Sequence, residues 1–533
     1  MAADVADVVV VGSGAAGAAL TWRLAERGAK VVCLEQGDWI SRDALPSSRR
    51  EVETFLRRGP SSFSPNTRRL PQDYPVTTVG ISPAQIMMFN GVGGSTIHWE
   101  GHFPRFHPSD FRVRSLDGVA ADWPLRYEDL EPYYDLNDRM MGVSGLAGDP
   151  ANPPRAARPF PPLALGKRGE VVVRGFEKLG WHWWPSDNAI LSRDSDDRLG
   201  CDARGRCNFG CPRKAKASVD LTYWPKASRA GARLLTWARV REITLDARGR
   251  ARGVLYHDRG GALHEQLGRV VVVCGNGIGT PRLLLNSRSR LFPHGLANSS
   301  GIVGRHYMAH PGHYVEGSFP ERLDGHVGIT SNPCFSQEFY ETDTKRGFVR
   351  GYSLVVYGPY GPLSQAWGDT RPLPWGAEHH REMRRRFGHT IGIAIMGEDL
   401  PEETNRVDLD SGDHDRHGMP AARVTYRFGE NTLRMLEHGV SMARRALEAA
   451  GAVEVLQASG PNVFAHLMGT ARMGSDPRQS VVDAWNRAHD VSNLFIVDGS
   501  SFVTSAAVNP TNTIGALALR AADGIWDRRR NWS

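Results

Sequence analysis

The amino-acid sequence predicts an α/β protein, in which a Rossmann-like nucleotide-binding domain carries a second, inserted domain. Three short apolar strands predict this fold: each runs into a glycine- or proline-marked turn, and a helical stretch follows. They lie near residues 7, 269 and 493 of the 533-residue chain. Such strands suit a parallel sheet buried on both faces. Because these pieces lie at the beginning, the middle and the end of the chain, the second domain must be inserted between them.

The first unit is a βαβ motif that is typical of dinucleotide binding. A strand at residues 7–11 runs into the turn GSGAAG, a helix follows, and a second strand ends at Glu35. The first glycine allows the tight turn, the second a close approach to a pyrophosphate, and the third close packing of helix on strand. Glu35 would accept hydrogen bonds from a ribose hydroxyl. The turn residues expected at the cofactor are Gly12, Gly14, Ala15, Ala16 and Gly17.

Two later units repeat the pattern. The strand at residues 269–274 runs into Gly275 and a helix. The strand at 493–497 ends in Asp498 and Gly499, and Asn509-Pro510 then opens a helix that begins at Thr511. Proline suits the first turn of a helix, because its nitrogen has no hydrogen to leave unpaired there.

Composition excludes several classes of protein. The formal net charge is +7, but the only dense basic runs, residues 384–386 and 528–530, lie outside any nucleic-acid motif. Six cysteines are too few for a disulfide scaffold. No apolar run approaches the roughly 18 residues that span a bilayer, and residues 1–7 lack the basic segment of a secretory signal. We therefore expect a cytoplasmic protein that neither binds nucleic acid nor spans a membrane.

Six motifs resemble, in the same order, those of the glucose–methanol–choline (GMC) oxidoreductases, and they run nearly end to end. They are the GSGAAG turn, Asn90–Thr96, Gly275–Leu285, Gly304-Arg305 with His310-Pro311, Ala465–Gly474, and Asp498-Gly499 with Val508–Pro510. The chain is most similar to the sugar-oxidising branch, which holds pyranose oxidase, glycoside 3-oxidases and the flavin subunits of glucose and fructose dehydrogenases. The resemblance implies a Rossmann-like FAD-binding domain with an inserted α+β substrate domain built on a mostly antiparallel sheet.

On this resemblance the chain divides into five segments. The FAD-binding domain is expected to comprise residues 1–110, 200–317 and 461–533, and the last of these carries the catalytic residues. Residues 318–460 form the substrate-binding domain. Residues 111–199 supply further substrate-domain and connecting segments.

The resemblance also implies a catalytic pair. His466 aligns with the family's base, and Asn509 with the partner that hydrogen-bonds the substrate oxygen. A histidine suits this task because its ordinary pKa of about 6.5 lets it take up a proton at neutral pH and release it later. The alternatives to catalysis are that His466 only makes hydrogen bonds within the fold and that Asn509 only caps a helix. The helix after Pro510 would aim its positive end at the flavin.

Further residues are expected around FAD on the same grounds. They are Glu35, Gly91, Gly93, Gly94, Ser95, His98, Gly275, Asp498, Gly499, Asn509, Pro510 and Thr511. His98 falls where pyranose oxidase carries its histidyl link to the flavin, so covalent attachment and simple packing near the isoalloxazine both stay open. Four other histidines receive no role from the sequence: His102, His107, His310 and His313.

Three cysteines, Cys201, Cys207 and Cys211, have the spacing of the [3Fe-4S] ligands in the glucose and fructose dehydrogenase subunits. The family's surrounding Cys-Cys-Gly-Asn-Asn-Asn context is absent here. A cluster and reduced structural thiols therefore remain alternatives.

A loop rich in proline, glycine and aromatic residues, 357–376, has two readings as well. It is either a substrate lid, with Tyr360, Trp367 or Trp375 stacking on a sugar face, or a surface loop.

The sequence thus predicts an FAD-dependent oxidoreductase that oxidises a sugar or glycoside hydroxyl, with oxygen, a quinone-like dye or a redox partner as electron acceptor. The alternative is the flavin and [3Fe-4S] subunit of a multi-chain dehydrogenase that passes electrons to a cytochrome. A third reading, a catalytically inert flavin- or partner-binding protein, is disfavoured because both His466 and Asn509 are present.

Overall fold

The computed structural model of the chain describes residues 5–48, 53, 62–82, 85–195, 197–205, 207–329, 332–358, 361–368 and 370–532. Seventeen strands lie within these ranges: β1 Ala6–Val11, β2 Val31–Leu34, β3 Val76–Val79, β4 Trp184–Pro185, β5 Arg233–Leu235, β6 Arg239–Leu245, β7 Ala251–His257, β8 Leu263–Val273, β9 Met308–Ser318, β10 Cys334–Ser336, β11 Tyr352–Tyr357, β12 Thr390–Gly397, β13 Arg406–His414, β14 Pro420–Thr425, β15 Glu454–Gln457, β16 Asn462–Met468 and β17 Leu494–Ile496.

Twelve α-helices are found in the same part of the chain: α1 Ala15–Glu26, α2 Pro65–Arg68, α3 Val113–Asp117, α4 Tyr127–Met141, α5 Gly166–Leu179, α6 Val219–Thr222, α7 Trp224–Arg229, α8 Asn276–Asn286, α9 Pro362–Trp367, α10 Ala377–Arg386, α11 Glu430–Ala450 and α12 Thr511–Asp527. None of these described helices is both long enough and apolar enough to cross a membrane.

A parallel sheet forms the core of the nucleotide-binding domain, in the strand order β5-β2-β1-β8-β17. The amino-terminal half of β8 bends away and pairs antiparallel with β7, which pairs in turn with β6. Alternate residues of β1 enter two separate cores: Val8 and Val10 pack with α1 and α12, whereas Val9 and Val11 pack on the opposite face. Burial on both faces explains why these strands are continuously apolar.

A second sheet, with the order β15-β9-β12-β11-β10-β4, is antiparallel at every described pairing, and β16 also joins β9. The isoleucines of β12, Ile391, Ile393 and Ile395, pack against α5 and α11 on one face. The residues between them point to the other face, because side chains alternate along a strand. That second face is turned towards the nucleotide-binding domain.

These sheets confirm the predicted fold class, an α/β nucleotide-binding domain with an inserted α+β domain on an antiparallel sheet. The domain limits remain a prediction. β9 ends at residue 318, so it lies almost wholly within the segment 200–317 that was assigned to the FAD-binding domain, although it pairs in the second sheet. A small third sheet, β13-β14-β3, lies beside α8.

Candidate active site

A cavity of about 950 Å³ lies between the carboxyl ends of the parallel strands and the open face of the antiparallel sheet. Val11, Leu34 and Cys274 stand at the carboxyl ends of β1, β2 and β8, and all three line the cavity. Ligands of doubly wound sheets bind at this edge, where the strand order reverses.

The glycine-rich turn leaves its backbone open to this cavity. Gly12 has a φ of +101°, and a Cβ there would stand 2.4 Å from the Cys274 oxygen. A Cβ on Gly17 would stand 1.9 Å from the oxygen of Gly12, so only glycine permits this contact between α1 and β1. A Cβ on Gly14 would meet only Gly94 Cα, at 3.7 Å. Helix α1 then begins at Ala15, and its free N–H groups suit a phosphate.

Glu35 is held in place at the end of β2. Its carboxylate accepts hydrogen bonds from the backbone nitrogen and hydroxyl of Ser13, at 3.0 and 2.7 Å, and from the Gly37 nitrogen at 3.0 Å. The glycine loop before His98 packs against the same turn, since a Cβ on Gly94 would lie 2.9 Å from Gly14 Cα. These contacts make one glycine-lined cradle, whose backbone a pyrophosphate can approach closely because no side chain projects from its glycines.

Asp498 joins the ends of β8 and β17. Its carboxylate accepts hydrogen bonds from the Asn276 nitrogen at 3.0 Å, the Thr280 hydroxyl at 2.6 Å and the Ser500 nitrogen at 2.7 Å. Burial raises the pKa of Asp498. This side chain fixes the start of α8, and Asp498 and Gly499 both line the cavity.

Most of the residues predicted around the cofactor line this cavity. They are Gly12, Gly14, Ala15, Ala16, Glu35, Gly94, Ser95, His98, Gly275, Asp498, Gly499, Asn509, Pro510 and Thr511, together with His466. Three others do not line it: Gly17, Gly91 and Gly93. These three glycines shape the walls, and Gly93 has a φ of +97°.

The predicted catalytic pair comes together in the cavity. His466 lies near the end of β16, where the pairing with β9 is irregular between Phe464 and Met468, and such irregularities commonly re-aim a side chain. Asn509 Nδ2 is 3.3 Å from His466 Nε2. Burial lowers the pKa of His466 well below its usual value, and His310 and His102 lower it further, so the ring is neutral at neutral pH.

Two histidines that received no role from the sequence complete this constellation. His102 Nδ1 lies 2.7 Å from Asn509 Oδ1, and His310 Nδ1 lies 2.7 Å from His466 Nδ1. Burial lowers the pKa of each ring to about 4. His310 already stood in a family-like motif, but nothing in the sequence indicated which side chain it contacts.

The wall opposite the nucleotide-binding domain carries an apolar patch beside polar side chains such as Glu316 and Gln365. Ala394, Met396, Tyr314, Tyr357 and Phe464 form one cluster on the antiparallel sheet, and all five line the cavity. Two glycines make room for the rings. A Cβ on Gly392 would stand 2.2 Å from the Tyr314 hydroxyl, and one on Gly312 would stand 2.3 Å from Phe464. We call these five residues the apolar floor.

Comparison with known proteins identifies the family. Profiles of the GMC oxidoreductases match residues 6–312 and 401–518. The chain is a GMC oxidoreductase. It is 44% identical to the 2-methyl-1,2-propanediol dehydrogenase of Mycolicibacterium austroafricanum, over 98% of this chain and 95% of that protein. It is 31% identical to the fructose dehydrogenase large subunit of Gluconobacter japonicus, over 98% and 97%.

Solved structures agree in fold. A variant of Aspergillus oryzae formate oxidase, made to study modification of its FAD, superposes with a TM-score of 0.69 at 15% identity, covering all of both chains. The family membership confirms the predicted activity class: this GMC oxidoreductase is an FAD-dependent enzyme that acts on CH–OH groups. Its glycine-lined cradle and the amino terminus of α1 fit the cofactor's pyrophosphate.

His98 faces the cavity of this GMC oxidoreductase in one defined tautomer. Its Nδ1 lies 3.1 Å from the Asn208 backbone oxygen, so the ring donates there and the lone pair sits on Nε2. Burial lowers the pKa of His98 to about 3. The ring packs edge-on against Phe89, 5.0 Å between centroids. Covalent attachment and packing remain the two alternatives.

The three cysteines lie outside the cavity. Cys201, Cys207 and Cys211 are half-buried and pack together on Ile190, Ala215 and Ile329. Burial raises the pKa of the Cys201 thiol to about 12. Among the described residues, no group of three or more His, Cys, Asp or Glu side chains is arranged to hold a single metal ion.

The residues of the aromatic loop that line the cavity include Tyr357, Gly358, Gln365 and Gly368. Trp375 is 95% exposed and Trp367 is 47% exposed, and neither lines the cavity. Tyr360 lies outside the described residues. In this conformation, therefore, the two tryptophans do not stack over the cavity, which favours the surface-loop reading at these positions.

Proposed function

We propose that this GMC oxidoreductase oxidises the hydroxyl of a small aliphatic alcohol or vicinal diol, with His466 as the base. The observation that carries this proposal is that the His466–Asn509 pair lines the same cavity as the cofactor cradle and the apolar floor. The neutral His466 ring is ready to accept a proton, and Asn509 stands beside it as a hydrogen-bond donor.

Each residue of the His466–Asn509 pair has its own role in the oxidation of the hydroxyl group. FAD, when bound, accepts the hydride that leaves the carbinol carbon. His466 Nε2 takes the hydroxyl proton. The Asn509 amide donates to the substrate oxygen, where negative charge develops as that proton leaves. His102 Nδ1 lies 2.7 Å from Asn509 Oδ1 and 3.0 Å from Asn332 Nδ2. When Nδ1 carries the ring proton it donates to Oδ1, and the NH₂ group of Asn509 is then left facing His466.

The apolar floor favours an alkyl substrate over a hydroxyl-rich one. A sugar would press several hydroxyl groups against Ala394, Met396 and Phe464, which offer no hydrogen-bond partner, and unpaired polar groups are costly to bury. The 44% identity to a 2-methyl-1,2-propanediol dehydrogenase supports the same class. The sugar or glycoside predicted from sequence is the competing substrate, and the fructose dehydrogenase relative supports it.

Substrate class is tested by anaerobic reduction of the bound flavin. We expect branched 1,2-diols and short alcohols to bleach the flavin absorbance with a kcat/KM at least about tenfold above that of fructose, glucose and methyl glycosides, a difference of about 1.4 kcal/mol. A sugar that outperforms every diol would contradict the proposed substrate class while leaving alcohol oxidation intact. Repeating the assay with oxygen, a quinone or a dye identifies the electron acceptor.

A second candidate is the flavin and [3Fe-4S] subunit of a multi-chain dehydrogenase. It is favoured by the gathering of the three thiols in one half-buried cluster. The residues between the first two cysteines, Asp202-Ala203-Arg204-Gly205-Arg206, argue for the single-chain flavoprotein instead, since they lack the family's cluster context.

Iron content separates the two candidates. Under the first proposal we expect purified protein to carry less than one iron per flavin and to absorb only in the flavin bands. A Cys207→Ser variant should then reduce its flavin at the unchanged rate. About three irons per chain, lost in Cys207→Ser, would instead establish the cluster subunit. Protein expressed with iron supplementation is used, and Cys334→Ser is the control because Cys334, in β10, is not a member of the three-cysteine cluster.

A further inference from the structure

His310 makes two hydrogen bonds, and together they define its protonation. Its Nε2 is 2.9 Å from the Ala506 backbone oxygen. A carbonyl oxygen only accepts, so Nε2 carries the proton. In the neutral ring Nδ1 then holds the lone pair. That lone pair faces His466 Nδ1 at 2.7 Å, and the two rings meet edge to face with 4.7 Å between centroids.

This order of donors fixes the tautomer of His466. Because His310 Nδ1 can only accept, His466 Nδ1 must donate, and the lone pair of His466 is left on Nε2, on the side of Asn509. We propose that His310 is a positioning residue of the oxidation: it binds the Nδ1–H of His466 and so keeps Nε2 free to take the substrate proton. This inference rests on the proposed role of His466 as base.

The surroundings of His310 suit such a fixed role. The ring is fully buried and does not line the cavity, so it acts only through His466. Ala506, whose oxygen it binds, has a φ of +58°, a conformation that L-residues other than glycine rarely adopt. Such backbone persists where its surroundings enforce it. Here the neighbouring Ser505 hydroxyl is fixed by Asp399, since it donates to the Asp399 oxygen at 3.0 Å and accepts from the Asp399 nitrogen at 2.8 Å.

His310 also helps at the moment of proton transfer. The substrate O–H bond breaks and its proton goes to His466 Nε2. The carbon-bound hydrogen would leave as hydride, which FAD would accept when bound. His466 is then a cation with both nitrogens protonated. Its Nδ1–H bond to His310 becomes charge-assisted, and such bonds are roughly twice as strong as neutral ones. The orienting member of a catalytic triad plays the same part.

Three substitutions separate this role from simple packing. His310→Asn keeps an acceptor oxygen near the position of Nδ1, His310→Gln keeps only a donor for the Ala506 oxygen, and His310→Phe keeps the ring without nitrogens. We expect the limiting rate of flavin reduction to fall about 100-fold in the Gln and Phe variants and less than about tenfold in the Asn variant, with KM within about threefold throughout. His438→Asn, on the other face of the sheet, is the control.

A second measurement needs no turnover. In ¹⁵N-histidine-labelled, FAD-loaded protein, the His466 signal, assigned by its loss in His466→Ala, should show a protonated Nδ1 and a bare Nε2. This pattern should persist in His310→Asn and change to the other tautomer or to a mixture in His310→Phe. Unchanged rates and tautomer in His310→Phe would overturn the inference, as would equal losses in the Asn and Phe variants. An unaffected His466→Ala variant would instead refute the base assignment in the proposed function.

Discussion

A His466→Ala variant is expected to bind FAD normally and yet to reduce it at least about 100-fold more slowly with the best alcohol, the usual contribution of a positioned base. The substitution removes the only imidazole in contact with Asn509 Nδ2 among the described residues. It leaves β16 and the glycine cradle in place. Stopped-flow absorbance of the flavin under anaerobic conditions measures the reductive step without interference from the electron acceptor.

His264→Ala provides the matched control, since that histidine pairs with Asp258 on the surface and does not line the cavity. It should leave the reduction rate unchanged. If His466→Ala also retained the full rate, the base would have to be sought elsewhere, and His102 would be the next residue to test. A variant that arrives colourless and unfolded is replaced by His466→Gln, which keeps the volume of the side chain but supplies no base.

The nucleotide-binding half of this chain is predictable because its signals are local. A tight turn, a close helix and an acid at a strand end all fall within residues 7–35, and each has a steric or electrostatic reason that needs no distant partner. The continuous apolar residues of Val8–Val11 and Val270–Val273 similarly predict strands that are buried on both faces. The apolar cores on the two sides of the sheet confirm this. Asn509 and Pro510 are a local signal of the same kind, because proline is favoured in the first turn of a helix such as α12.

The rest of the site depends on contacts between distant segments. His102 and Asn509 are separated by 407 positions, and His310 and His466 by 156. The contact of His310 with His466 follows from the register of β16 on β9, in which Phe464 lies opposite His310. Register is set by the burial of whole sheet faces, and no single residue in the sequence reveals it. The sequence therefore shows that His102 and His310 are present but does not indicate which side chains they contact.

The apolar floor escaped prediction for a related reason. Its members come from four strands, with Tyr314 on β9, Tyr357 on β11, Ala394 and Met396 on β12, and Phe464 on β16. The proline- and aromatic-rich composition of the loop indicated Trp367 and Trp375 as candidates for stacking on the substrate. The side chains that do form the wall lie in strands whose sequences carry no special signal. Composition thus left a substrate lid and a surface loop as alternatives for that segment, while the wall depends on which strand positions share a face.

Two glycines of the GSGAAG turn are expected to respond differently to alanine, in the variants Gly17→Ala and Gly14→Ala. In Gly17→Ala the new methyl group would stand 1.9 Å from the Gly12 oxygen, a backbone atom that cannot rotate away. Helix α1 must then move off β1, and we expect a loss of about 3 kcal/mol or more in folding stability, with little FAD retained. In Gly14→Ala the methyl meets only Gly94 Cα at 3.7 Å, an ordinary contact.

Gly14→Ala should therefore fold with near-normal thermal stability as the apoprotein but bind FAD at least about tenfold more weakly, because its methyl group occupies the place where the pyrophosphate approaches the backbone. Thermal unfolding of both variants stripped of FAD, followed by titration with FAD, separates the two effects. Equal destabilisation of the two apoproteins would show that the turn tolerates no side chain at either position. Normal FAD affinity in Gly14→Ala would mean that the pyrophosphate does not pass over this glycine, and the placement of the cofactor along the α1 amino terminus would have to be given up.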